Sequence, residues 1–252
     1  MITTSLRENI LAIDIGASFI KATVLNQEGE LLQDYKRIKT PDPATPQKVL
    51  QRIQNLVTGF QDYDKISVGF PGDIKKGIVR TAPNLDTHFW KNINLNKLLT
   101  DALNKPVRIA NDADMQGLGV VSEIGLEMVI TLGTGFGTAL FLDGHLLPHI
   151  ELAQHPITKS NTYDDYVGEE ALKDKGDKKW NKRMKKVLNI LKTVFSYDRL
   201  YIGGGNADQL NFKLDKNIKI ITNEDGIKGG ARLWQLDENL FIKTHNTSLI
   251  IN

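Results

Sequence analysis

No cysteine occurs in the 252 residues. That excludes disulfides and thiolate metal sites, and it fits a reducing cytoplasm. No run of about 18 apolar residues exists, so no membrane-spanning helix is expected. The opening MITTSLREN lacks the basic segment and apolar core of a signal peptide. Neither sign of charge dominates: 32 Lys and Arg against 30 Asp and Glu leave +2, too little to imply a nucleic-acid partner. There is no repeat on the scale of about 20–50 residues and no low-complexity linker. What remains, 40% hydrophobic and 25% charged, reads as a soluble globular chain. It is long enough for one large domain or two modest ones around a cleft.

Strand and helix patterns alternate along it. NILAIDIG (9–16), FIKATVLN (19–26) and ELLQDYKRI (30–38) read as an antiparallel meander, with turns at Ala17-Ser18 and at 26–29. The prolines at 41, 43 and 46 end it. Val49, Ile53, Leu56, Val57 and Phe60 then share a helical face. ISVGF (66–70) runs into Pro71-Gly72, and GIVRTA (77–82) leads to a polar loop with Asn84 and Asp86. A helix through Leu95, Leu98, Leu99 and Ala102 precedes the strand PVRIA, and a helix over 113–124 is expected after it. The second half repeats the theme: EMVITLG (127–133), a hairpin over 138–147 turning at Asp143-Gly144, a lysine-rich helix over 178–195, RLYIGGG (199–205) and a short helix over 226–234. The expected architecture is two α/β lobes with a boundary near Asp112, 1–112 and 113–252. The tail 235–252, ending LIIN, has no evident place.

Three glycine clusters sit at strand ends. TLGTGFGT (131–138) carries Gly133, Gly135 and Gly137, whose backbone N–H groups can approach a phosphate closely. It is no dinucleotide fingerprint, because the spacing is GxGxG and a strand pattern follows where that motif needs a helix. A plain glycine-rich hairpin is the other reading. In DIGASFIK (14–21), Asp14 closes a strand, Gly16 permits a tight turn and Lys21 lies on the next strand. Asp14 reads either as a turn cap or as a water-mediated Mg²⁺ ligand, since hard cations take carboxylate oxygen and keep several waters. Gly203-Gly204-Gly205 is either a turn or a surface on which a purine lies flat. In VRIANDADMQG (107–117) an apolar strand stops at Asn111, Asp112 and Asp114.

The order of these pieces resembles the actin-like sugar kinases, and within them the ROK family, nearest its polyphosphate-glucokinase branch. The pieces are DIGASFIK, VGFPG, VRTAPNLD, NDAD, ITLGTGFGTALF with DG, IEL and YIGGGNAD, spread over residues 10–234. The resemblance implies an actin-like (ribonuclease H-like) α/β fold with two lobes around a cleft. It implies Asp112 as the base that takes a proton from a sugar hydroxyl, with Asn111 binding the sugar. That agrees with chemistry in which an aligned nucleophile and charge neutralisation matter most. A carboxylate at a strand end is held rigidly for one hydroxyl. The alternative is that Asp112 only caps the helix after it. Asp114 reads as a first-turn acid favourable to the helix dipole.

The same resemblance places Phe70, Pro71, Gly72 and Asn84 around the sugar and Glu151 on its hydroxyls. It puts Asp14 at Mg²⁺, with Gly16 and Lys21 beside it, Gly133, Thr134, Gly135 and Gly137 at the transferred phosphate, and Gly203, Gly204 and Gly205 at adenine if ATP is used. It also implies a homodimer. The chain departs from the family twice. It has no cysteine for the zinc motif found in many members, so no zinc is expected. Where the pattern reads Glu-x-Gly-His, this sequence has Glu151-Leu152-Ala153-Gln154-His155. Either Gln154, which can donate and accept, meets the hydroxyl, or a local bulge brings His155 inward.

KDKGDKKWNKRMKK (173–186) concentrates positive charge in a nearly neutral chain. Trp180, Met184, Val187, Leu188 and Leu191 form its apolar stripe, so Lys178, Lys179, Lys182 and Arg183 belong to the outer face. They read as a solvated surface or as a docking track for polyphosphate, whose binding would follow counterion release. The leading expectation is a glucokinase using polyphosphate, ATP or both with Mg²⁺, acting on small molecules and on neither nucleic acid nor membrane. A non-catalytic sugar sensor, a kinase for another hexose and an actin-like filament protein are the alternatives. The repressors of the family carry an N-terminal helix-turn-helix, for which the roughly nine residues before the first strand leave no room.

Overall fold

The computed structural model describes residues 8–236. Of the tail 235–252 only Gln235 and Leu236 fall among them; its LIIN end lies outside, as does most of the MITTSLREN opening.

The first sheet forms from the buried runs in the sequence. β1 (Ile10–Ile15) and β2 (Phe19–Leu25) make an antiparallel hairpin, and β3 (Lys36–Lys39) pairs with β2. The expected strand over 30–38 is shorter and later than its pattern suggests. The Asn26 side chain holds the Glu30 N–H at 2.8 Å and the Glu30 carboxylate at 2.7 Å, and only Leu31 bridges back to Leu25 before β3 begins. α1 (Pro46–Val57) starts where Thr45 caps the Lys48 N–H and Pro46 supplies a preset φ. It lays Val49, Ile53, Leu56 and Val57 on the sheet. β4 (Lys65–Phe70) runs parallel to β1, and β7 (Val107–Asn111) runs parallel to β4. Between them come a two-stranded ribbon, β5 (Ile74–Lys75) with β6 (Ile78–Val79), a short α2 (Thr87–Trp90) and α3 (Leu95–Leu103). The sheet order is β3-β2-β1-β4-β7.

The second sheet has the same plan. β8 (Leu126–Leu132) and β9 (Phe136–Leu142) form an antiparallel hairpin extended by β10 (His145–Leu146). β11 (Arg199–Gly203) is parallel to β8, and β12 (Ile218–Ile220) is parallel to β11. The order is β10-β9-β8-β11-β12. α5 (Tyr163–Val167) and α6 (Glu169–Phe195) cover it; α6 is broken at Gly176, where φ is +70°, and buries Trp180, Met184, Val187, Leu188 and Leu191. This helix begins nine residues before the expected 178, because the turn before the break is rich in charge and shows no apolar period.

α4 (Asp112–Leu118) joins the lobes. It is shorter than the expected 113–124. Beyond Leu118, Gly119 lies against the backbone of α7 (Asn223–Ile227) and α8 (Gly229–Arg232), where a Cβ would come within 2.8 Å of the Gly229 nitrogen. α7 and α8 return to the first lobe, burying Ile227 and Ala231 with Ile10, Ala12 and Leu25. No helix among the described residues is long and apolar enough to cross a membrane.

Candidate active site

The carboxyl ends of β1, β4, β7, β8 and β11 meet at a cleft of about 380 Å³ between the sheets. Its lining brings together Asp14, Gly16, Lys21, Pro71, Gly72, Asn84, Asn111, Asp112, Gly133, Thr134, Gly135, Gly137, Glu151, Gly204 and Gly205. Other expected residues stand outside that lining. Phe70 is wholly buried, its ring 4.9 Å from Trp90, so it supports the Pro71-Gly72 turn from behind. Gly203 sits against Ile221. Gln154 turns its amide to Asp164 at 3.2 Å, and His155 lies beside the Tyr163 ring, 6.4 Å between centroids. Lys178, Lys179 and Lys182 are exposed on α6. Arg183 is half-buried over the Tyr166 ring and donates to the Tyr166 carbonyl at 3.0 Å.

Asn111 is the residue that caps α4. Its Oδ1 accepts from the N–H groups of Ala113 at 2.8 Å and Asp114 at 3.3 Å, while its Nδ2 donates to the Gly72 carbonyl at 3.2 Å. One side chain thus fixes the helix start and ties it to the Pro71-Gly72 turn. Asp112 is therefore the first helical residue, half-buried at the cleft, with Oδ1 accepting from Ala113 N–H at 2.9 Å. Burial, then the Asp14 charge, push its carboxyl up to about 7, with Asp114 and Glu151 adding to the rise and the Ala113 N–H opposing it. Gly69 of β4 keeps the acids close: a Cβ there would stand 3.3 Å from Asp112 Cα and 3.6 Å from Asp14 Oδ1.

Asp14, mostly buried, pairs with Lys21 Nζ at 3.1 Å. Among the described residues no group of three or more His, Cys, Asp or Glu could cage a metal. One carboxylate on a cleft wall fits Mg²⁺ nonetheless, because that ion keeps waters and completes its shell with substrate phosphate. At the facing strand ends, after β8 and β11, the lining is glycine backbone, with Glu151, Asp164 and Glu169 contributed by the segments that follow β10. A Cβ at Gly133 or Gly205 would meet nothing within 4 Å, so both backbones face open cleft. Gly204 has φ +88° and lies against the Leu132 backbone, which leaves room for no other residue.

Three contributors escaped the sequence reading. Asp164 accepts from the Phe136 N–H of the glycine hairpin at 2.6 Å and from Gln154; burial pushes its carboxyl up to about 6. Arg37 joins Lys21 as a basic residue of the lining and stacks on Phe19, 4.8 Å from the ring centroid. His149 lies between two acids, with Nδ1 3.3 Å from Asp114 and Nε2 3.6 Å from Glu151. The run LPHIEL does hold His149 two residues before Glu151, but nothing in it points to Asp114.

Two like sheets and a cleft at their strand ends, with carboxylates after β1 and β7 and glycines after β8 and β11, define a two-lobed actin-like phosphotransferase fold. Comparison narrows this: the ROK family model matches residues 10–148, and the chain belongs to the ROK family. It is 31% identical to the polyphosphate glucokinase of Mycobacterium leprae over 239 residues, 90% of this chain and 72% of that one. Against the polyphosphate glucokinase of Mycobacterium tuberculosis (strain CDC 1551 / Oshkosh) it is 31% identical over 230 residues, 87% of this chain and 84% of that one. The structure of an inorganic polyphosphate/ATP-glucomannokinase from Arthrobacter sp. strain KM superposes with a TM-score of 0.83 at 31% identity, covering 90% of this chain and 99% of the other. A ROK family glucokinase from Streptomyces griseus, solved with glucose and AMPPNP, shares the fold at a TM-score of 0.75 and 18% identity, over 89% and 98% of the two chains.

Proposed function

We propose that this protein is a sugar kinase that transfers a phosphoryl group from polyphosphate or ATP to the 6-hydroxyl of glucose. The observation that carries this reading is the position of Asp112: a carboxylate on the first turn of α4, its pKa raised to about 7, in the same cleft as Asp14 and the glycine hairpin. A base poised near neutrality accepts a proton and is not held ionised by a partner cation.

In the reaction the sugar O6 attacks the terminal phosphorus as its proton passes to an Asp112 oxygen. The P–O bond to the donor breaks, and the donor leaves one phosphate shorter. Glu151 accepts hydrogen bonds from ring hydroxyls, while Asn84 and the Pro71-Gly72 turn close the sugar side. Backbone N–H groups at 133–137 meet the charge spreading over the phosphoryl oxygens. Asp14 would hold Mg²⁺, which would supply further charge neutralisation at the donor phosphates. Gly204 and Gly205 offer a flat wall for adenine. The exposed Lys178, Lys179 and Lys182 offer a track for a longer polyanion, along a helix whose first residue, Glu169, lines the cleft. A lobe division at Asp112, a homodimer and a cytoplasmic setting complete the reading.

The test is a matrix of donors and sugars: polyphosphate and ATP, each with Mg²⁺, against glucose, mannose, fructose and N-acetylated hexosamines. Glucose phosphorylation with at least one donor is expected. Sugar binding without transfer from either donor would make the protein a sensor; transfer only to another hexose would move the substrate.

A further inference from the structure

Asp114 has no capping duty, since Asn111 already serves the first turn of α4. Yet Asp114 is 5% exposed, and burying a lone carboxylate is costly unless it is paired. Its partner is His149, whose Nδ1 stands 3.3 Å from both Asp114 oxygens. The far side of the ring points at Glu151: Nε2 lies 3.6 Å from Oε2 and, among the described residues, has no hydrogen-bond partner. An imidazole with a carboxylate at each nitrogen satisfies both only when both nitrogens carry protons. Burial opposes that charge, but Asp114 and Glu151 outweigh it and push His149 up to about 10. The loop itself is pinned next door, where Thr138 Oγ1 donates to the Ile150 carbonyl at 2.8 Å. His149 and Glu151 therefore flank a fixed point, and the Glu151 carboxylate reaches the cleft wall.

We infer that Asp114 and His149 are positioning residues that hold the Glu151 carboxylate in place for the sugar's hydroxyls, an inference that rests on the sugar role proposed for Glu151. Asp114 orients the ring, and the ring engages one Glu151 oxygen and leaves the other to the sugar. A mere staple between α4 and the loop would use the same contacts but would leave glucose recognition as it is.

The experiment uses the full chain, with glucose titration by calorimetry, steady-state kinetics in both substrates and thermal melts. E151Q, H149Q, D114N and the double variant E151Q/H149Q are compared with the parent. H149N serves as a second probe, its shorter amide able to meet Asp114 but not Glu151. The expected result is an increase of about 10–100-fold in KM and Kd for glucose in H149Q, H149N and D114N, the loss of a charge-assisted bond, with KM for the phosphoryl donor shifting far less. The double variant should bind glucose little worse than E151Q alone. Glucose affinity at the parent level in folded H149Q and H149N, additive losses in the double variant, or equal shifts in both KM values would overturn the inference. If E151Q binds glucose as the parent does, the sugar role of Glu151 falls, and the inference falls with it.

Discussion

The two sheets share one topology and differ in what they place at the cleft. In each, a central strand (β1 or β8) has an antiparallel hairpin partner on one side and a parallel strand on the other. At the end of β1 stands Asp14, and at the end of β7 stands Asp112. At the ends of β8 and β11 stand Gly133 and Gly203. At these strand ends the first lobe presents carboxylates and the second bare amide; the second lobe's own cleft acids, Glu151, Asp164 and Glu169, come from the segments after β10. A hydroxyl needs a base, and a phosphate chain needs donors such as backbone N–H groups. The same scaffold, with carboxylates at one set of strand ends and glycines at the other, would serve the proposed base and the proposed phosphate contact.

This contrast can be broken from either side. Replacing the proposed base at the end of β7, Asp112→Asn, should lower kcat by roughly 10²–10⁴ while glucose affinity by calorimetry stays within a few-fold. On the glycine edge, Gly133→Val adds a side chain where none is opposed, so the thermal melt should hardly change. KM for the phosphoryl donor should instead rise by about tenfold or more as the branched group enters the phosphate path. A large loss of stability in that variant would show that Gly133 is needed by the fold and not by the ligand.

A smaller effect concerns stability. Because the folded pKa of Asp112 is raised above the usual carboxylate value, the native state binds more protons than the unfolded chain between roughly pH 4 and 7. Stability associated with that group is present at low pH and is lost as pH rises through about 7. Asp112→Asn should therefore raise Tm at pH 8 and lose that advantage near pH 4. An Asp112→Asn gain that instead grows toward low pH would contradict the burial argument.

The least effect is expected on α6. Changing Lys178, Lys179 and Lys182 to Glu should leave ATP-driven turnover nearly as it is and flatten the salt dependence of KM for long polyphosphate. An unchanged salt slope would make these lysines a solvated surface.

Much of this arrangement was legible in the chain. β1, β4, β7, β8 and β11 are predominantly apolar and almost wholly buried, and β1, β7, β8 and β11 run into Asp14, Asp112, Gly133 and the 203–205 glycines, residue types that mark a site. The shorter elements were harder. The 30–38 stretch alternates like a strand, but its pairing to β2 lapses after the Leu25–Leu31 bridge and the Leu32 N–H on the Val24 carbonyl, and resumes only where β3 starts at Lys36. α4 stops at Leu118 because of α7 and α8, more than a hundred residues away. Asp114 does stand in the first turn of α4, as its place in the sequence implies, but its partner is a histidine 35 positions on. Local pattern carries which residue ends a strand; it does not carry which side chains two ends of a chain bring face to face.

The central claim is that Asp112 is the group whose ionisation permits transfer, and the pH dependence of kcat/KM for glucose tests it most directly. The account predicts an acid limb displaced above the ordinary carboxylate range in the parent enzyme and no such limb in the residual activity of Asp112→Asn. A limb at the same pH in that variant would assign the proton to another group and contradict the account.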